Sequence, residues 1–190
     1  MARKKKTAPF DPTEYLSIHD ICLWESSLSR QEEFQASTHL GRCVPQSFHT
    51  SEPSLYRANF GDDEEELVLR VLVELGVRTV YKGTEEVPED KTLYTLEATY
   101  CAEYVVHQVP SKEELSSFIE FNCIHNVWPF WRQHVLDILR QANLPTPMVP
   151  FFPGVPAKKR RKVASSNLLS DPAVAAEVDA KLARETGGEV

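Results

Sequence analysis

FNCIHNVWPFWRQHVLDILRQANLPTPMVPFF, residues 121–152, decides the fold. It opens on aromatic residues and a proline, continues as one amphipathic helix, and leaves through proline-studded extended chain. The pattern predicts a helix start near Asn126, where Pro129 falls in the first turn and its missing N–H is not needed. Val127, Phe130, Trp131, His134, Val135, Ile138, Leu139 and Ala142 recur at helical spacing, with Arg132, Gln133, Asp137, Arg140 and Gln141 on the polar side. Asn143 predicts the stop, ahead of Pro145 and Pro147. Prolines at 147, 150, 153 and 156 favour extended chain beyond it. Upstream, Ser111 and Glu114 form a capping-box pattern for a preceding helical segment whose apolar side is Leu115, Phe118, Ile119 and Cys123.

Strands lie before these helices. Leu67 to Val77 alternates with a two-residue period, Leu67, Leu69, Val71, Val73, Leu75 and Val77 sharing one face. Thr92 to Val106 alternates likewise, and the turn-rich residues 82–91 make the two antiparallel neighbours if they form a hairpin. Glu14 to Trp24 reads as a first strand. Residues 25–59, with Pro45 and Pro53 among Ser and Gln, read as mostly irregular chain. A short last helix is expected after Asp171, with Pro172 at its first position. Strands followed by helices give a small α+β domain.

The chain has 190 residues and a net charge of -7, which disfavours a general nucleic-acid role. No run is long enough to span a membrane, and the basic N-terminus is followed by no apolar signal region. Cys22, Cys43, Cys101 and Cys123 are scattered, which suits a reduced, cytosolic setting. Charge is uneven: Arg3 to Lys6 and Lys158 to Lys162 are basic, and Asp62 to Glu66 is acidic.

The chain carries no Gly-rich phosphate loop, no HExxH and no CxxC. His39, Cys43 and His49 could supply three metal ligands, but their loose spacing and missing fourth ligand read as ordinary loop residues. Cys123, His125 and His134 could pair a thiolate with a base, yet nothing supplies an orienting group or a cleft. No catalytic residue, metal or cofactor is therefore expected. The acidic run reads as a solvated approach to a strand, and PAKKRRKV, which looks like a nuclear-import peptide, reads as a basic tail. Glu97, on a strand face with Thr95 and Thr99, is a firmer docking candidate because a sheet holds it rigidly. Phe121, Trp128, Phe130, Trp131, Phe151 and Phe152 surround the helix and its exit; they can pack a core or line an apolar groove for extended polypeptide.

ELVLRVLVELG at 66–76, TLYTLEATYCAEYVV at 92–106 and the 121–152 segment together resemble the SecB family of protein-export chaperones, including the SecB-like chaperones of toxin–antitoxin systems. Asn126, Trp128, Pro129, Phe130 and Arg132 look like the family's helix start, and Pro145, Met148, Val149, Pro150 and Phe151 like its exit. The resemblance covers about residues 14–152. It implies a four-stranded antiparallel sheet with helices packed on one side, assembled as a homotetramer, a dimer of dimers, in the cytoplasm. It implies no nucleotide. It divides the chain into a tail at 1–12, a chaperone domain at 13–152, and a basic linker with a short candidate helix at 153–190.

The function so implied is an ATP-independent chaperone. It would bind unfolded preproteins in apolar grooves and deliver them to the SecA motor of the Sec translocon. The alternative is a dedicated chaperone that protects an antitoxin. Trp24, Tyr100, Tyr104, Phe151 and Phe152 are the client-binding candidates, with the two phenylalanines ahead of the tyrosines. Asp20 and Glu97 match acidic positions of the family's motor-docking surface; Glu25 matches another with an offset of about one residue, leaving Trp24 as its rival. Thr95 stands where family members can carry an apolar docking residue. The family's Asn-Phe-Asp-Ala-Leu segment after the exit is replaced by FFPGVPAKKRRK.

Overall fold

Alternation in the two central strands builds the sheet. The computed structural model describes residues 10–32, 43–61, 65–82 and 91–149. Four strands, β1 (Leu16–Arg30), β2 (Cys43–Ala58), β3 (Glu66–Tyr81) and β4 (Lys91–Val106), form one sheet in the order β1-β4-β3-β2. Every neighbouring pair is antiparallel. Leu69, Val71, Val73, Leu75 and Val77 of β3 stand opposite Tyr104, Ala102, Tyr100, Ala98 and Leu96 of β4. All ten are buried in the core cluster. The expected strands at 67–77 and 92–106 are both present, each a little longer than its apolar run.

Two expectations are corrected at the sheet's edges. The first strand continues past Trp24 to Arg30, because the polar run ESSLSR pairs with β4 down to Arg30↔Tyr94. The segment 25–59 also contains β2, which pairs with β3 in unbroken register from Cys43↔Tyr81 to Ala58↔Glu66. Pro45 and Pro53 do not prevent this. They fall at like positions of the two-residue period on a strand that, among the described residues, has a neighbour on one side only, so neither missing N–H is owed to β3.

One helical stretch covers one face of the sheet. It runs through α1 (Lys112–Ser117), a π-helical segment (Phe118–Cys123) and α2 (Ile124–Gln141). The capping box is formed: the Glu114 N–H donates to Ser111 Oγ at 3.3 Å, and the Ser111 N–H donates to Glu114 Oε2 at 2.9 Å. The expected second start at Asn126 does not occur, and Pro129 lies inside α2. The wider π turn takes in one extra residue. Leu115 before it, Phe118 and Ile119 at its start, and Ile124, Val127 and Trp131 after it are therefore all buried. The stop at Asn143 holds. Asn143 adopts φ 52, the Leu144 N–H donates to the Leu139 carbonyl at 2.8 Å, and the Asn143 N–H donates to the Arg140 carbonyl at 3.1 Å. This is a Schellman cap with asparagine in the left-handed position. Leu144, buried beside it, supplies the apolar contact that commonly accompanies the motif. The Tyr94 hydroxyl donates to the Pro145 carbonyl and ties the exit back to the sheet.

No helix among the described residues is long and apolar enough to cross a membrane. His39, the acidic residues 62–64, Phe151, Phe152, both basic runs and the expected last helix lie outside the described residues.

Candidate client-binding and docking surfaces

The two faces of the sheet are chemically distinct. On the helix-covered face, α2 lies over β3 and β4 and leaves the inner side of β1 open. Ile18, Leu23 and Leu28 stand opposite Tyr104, Tyr100 and Leu96, on the helix side, yet are 56%, 48% and 37% exposed. Two polar contacts link the helix to β1: mid-helix, Ser26 Oγ with His134 Nε2 at 2.8 Å, and at its C-cap, Arg30 Nη1 donating to the Ala142 carbonyl at 3.5 Å. Phe130, one helical turn before His134, is also exposed. An apolar strip thus runs beside a strand whose other edge has no neighbour among the described residues.

A second apolar feature opens at the β2 side. Pro45, Ser47, Val77, Trp128, Trp131, Pro147, Met148 and Val149 line a cleft of about 150 Å³. Trp131 forms its buried floor, Trp128 is half-buried, and Met148 is almost wholly exposed at the rim. Arg132 Nε donates to the Val149 carbonyl at 3.2 Å and holds the exit segment along the helix.

The tyrosines sit elsewhere. Tyr100 and Tyr104 are buried core residues, because their even-numbered positions on β4 point beneath α2. Tyr104 packs edge-on to Phe118 at 5.0 Å and accepts from Asn126 Nδ2 at 3.1 Å. Burial raises its hydroxyl far above the ordinary range and pushes that of Tyr100 up to about 12. Neither presents a ring to a groove. Trp24 is also apart from the cleft, on the opposite face of the sheet, where its ring lies 5.8 Å from the Arg70 guanidinium carbon.

That outer face is acidic. From the row Gln46–Arg78–Thr95–Ser29 to the row Ser54–Arg70–Glu103–Asp20 it carries the carboxylates of Asp20, Glu25, Glu52, Glu74, Glu97 and Glu103 against the guanidiniums of Arg70 and Arg78. The three docking candidates share it: Asp20 opposite Glu103, Glu25 opposite Thr99, and Glu97 opposite Ser27. The one-residue offset at Glu25 has a local cause. The register shifts between Leu23↔Tyr100 and Glu25↔Thr99, so Trp24 is the extra residue of a bulge and both side chains serve the outer face. Thr95 is half-buried in the row of Arg78, which donates through Nε to Gln46 Oε1 at 2.7 Å.

Across β2, β3 and β4 runs a polar network that sequence reasoning missed. Glu103 Oε1 accepts from Tyr56 Oη at 2.6 Å and from Arg70 Nε at 2.8 Å. The Arg70 guanidinium also lies 4.6 Å from the Tyr56 ring centre. Burial works to raise the Glu103 carboxyl, but the hydrogen bonds from Tyr56 and Arg70 and the charge of Arg70 outweigh it and hold the group below its ordinary value. Alternation places Arg70 and Glu103 on one face, but Tyr56 belonged to a segment read as irregular. Farther along the same face Phe48 lies over Gly76, where a Cβ would fall 2.1 Å from the ring. Glycine is required at 76 by that close approach.

The sequence matches no known family model and no curated protein. Among solved structures, the chain is similar to the SecB-like chaperone Rv1957 of Mycobacterium tuberculosis, in complex with a ChAD peptide from the Rv1956 HigA1 antitoxin. Identity is 15%, the TM-score is 0.49, and the match covers 74% of this chain and 93% of that chain.

The remaining candidates separate. Cys43 and His49 are six residues apart on one strand, about 20 Å at the usual rise, too far to share an ion. Cys123 is buried against Tyr104, and burial pushes its thiol up to about 12, the reverse of nucleophile activation. His125 is exposed, whereas His134 is part-buried and lowered chiefly by that burial.

Proposed function

We propose that the protein is an ATP-independent chaperone that captures extended polypeptide by its apolar side chains. The observation that carries this reading is the tryptophan-floored cleft beside the exit segment, with Met148 exposed at its rim. Apolar side chains leaving water for such a surface gain affinity without nucleotide. The uncovered strip on β1 is assigned to a second copy of the chain, as the SecB resemblance implies. The acidic outer face with Asp20, Glu25 and Glu97 is assigned to a basic partner, a SecA-type motor in the export reading.

The client range has two readings. The export reading needs long grooves for many preproteins. The dedicated reading needs one short apolar motif, such as an antitoxin segment. A cleft of about 150 Å³ is smaller than usual small-molecule pockets and takes about one large side chain, which favours the dedicated reading.

The test is capture of a panel of reduced, unfolded proteins without nucleotide, with oligomer mass read in the same run. Met148→Glu is expected to lower capture several-fold at unchanged oligomer mass, and Leu23→Asp with Leu28→Asp to lower the mass. Broad capture supports export, and capture of a cognate antitoxin alone supports the dedicated role. Capture of no client, or unchanged capture by folded Met148→Glu and Trp128→Ala variants, overturns the respective assignment.

A further inference from the structure

Cys22 and Cys101 stand directly opposite each other across the β1–β4 ladder. Both face the outer side of the sheet, in the row Glu52–Leu72–Cys101–Cys22. Both are free thiols, and the Cys22 thiol lies within hydrogen-bonding reach of Cys101. Directly opposed residues in an antiparallel pair have Cα atoms about 4.5–5.5 Å apart, inside the range that a disulfide accepts. The sequence hides this pair, because 78 residues separate the two cysteines. We propose that Cys22 and Cys101 form a peroxide-responsive thiol pair that closes to a cross-strand disulfide.

The two thiols differ in a way that orders the chemistry. Cys22 is exposed; Cys101 is buried, and burial first, then the Glu103 charge, pushes its thiol up to about 11. Cys43 is only part-exposed and Cys123 is buried. Peroxide therefore meets Cys22 first. The Cys22 thiolate attacks one peroxide oxygen, the O–O bond breaks, and the departing hydroxide takes a proton to become water. Cys22 is now a sulfenic acid, its sulfur oxidised by two electrons and the peroxide reduced. Cys101 then attacks the Cys22 sulfur. The S–S bond forms, the S–O bond breaks, and the hydroxyl leaves with the Cys101 proton as a second water.

The position gives the bond a consequence. Cys22 lies in the short stretch of β1 between two register shifts, at Ile18/Asp20 and Leu23/Glu25, where the ladder is locally interrupted. Asp20 and Glu25 flank it on the same face. A disulfide there pins the bulged edge strand to β4 in the middle of the acidic face.

The full chain is treated with hydrogen peroxide, and its peptides are mapped by mass spectrometry without reduction. A Cys22–Cys101 link with loss of two hydrogens is expected, together with a melting temperature raised by about 5 °C or more and returned by reductant. In Cys101→Ala, Cys22 is expected to accumulate sulfenic acid, trapped by dimedone several-fold above wild type. Cys22→Ser, altered at an exposed site, is expected to give no link and to leave Cys101 unmodified. Equal sulfenic trapping in wild type and Cys101→Ala, or Cys22 linked only between two chains, overturns the proposal.

Discussion

The sheet's two edge strands differ in how they meet solvent. β2 and β1 are of nearly equal length and each has one neighbour among the described residues. β2 carries Pro45 and Pro53, which remove two outward N–H donors, and its inner side faces the cleft beneath Trp128 and Trp131. β1 has no proline, keeps its donors, and exposes Ile18, Leu23 and Leu28 beside them. Proline on an edge is a known defence against edge-to-edge pairing. Proline interrupts one edge's row of donors at two places, and the other edge is interrupted only by its bulges.

The largest test of that contrast removes what covers the β2 side. Trp131→Ala is expected to cost about 3–5 kcal/mol in denaturant unfolding, because a fully packed ring is replaced by a cavity. It would deepen the cleft over β2's inner side, with Trp128 and the exit segment still in place. A cost below about 1 kcal/mol would show that the cover is loose.

A smaller effect comes from the Tyr56–Arg70–Glu103 network, which hydrogen-bonds β2 to β3 and β4 and meets β1 at the Trp24 ring, 5.8 Å from the Arg70 guanidinium carbon. Glu103 is held below its ordinary value in the folded chain. Its contribution is complete above the unfolded value and drains as pH falls through the folded one. Screening at this part-exposed site limits it to about 1 kcal/mol or less. Melting curves of wild type and Glu103→Gln are expected to be separated at neutral pH and to converge as pH falls through the lowered value of the folded chain. A gap independent of pH would assign the effect to packing instead.

The smallest effect on stability tests the edge directly. Pro45→Thr with Pro53→Thr restores two donors and is expected to change stability by about 1 kcal/mol or less per site. Its readout is self-association, expected to rise as β2 becomes able to pair. Unchanged light scattering would mean that the prolines are not what closes this edge.

Much of this contrast was legible in the residues and part was not. The alternation of 67–77 and 92–106 gave the central pair, and Ser111 and Asn143 marked true helix ends. β2 was hidden because proline signals a break in a central strand but not at an edge, and only the assembled order shows which strand is the edge. Pro129 misled in the same way: it fits a helix start, yet the helix passes through it after a π turn. Asp20, Glu25 and Glu97 came together only through the resemblance; alternation alone puts Asp20 and Glu25 on opposite faces, and the bulge at Trp24 is what brings them to one. Tyr100 and Tyr104 could not be placed, because alternation sorts residues between two faces without telling which face the helix covers.

Three tryptophans fall in three settings: Trp24 is 58% exposed on the acidic face, Trp128 is half-buried in the cleft, and Trp131 is 2% exposed in the core. The chain therefore carries its own optical reporters. Emission from Trp131 follows unfolding, Trp128 senses an occupied cleft, and Trp24 sees what settles on the opposite side. Variants with a single indole would let the two surfaces be read separately without an added dye.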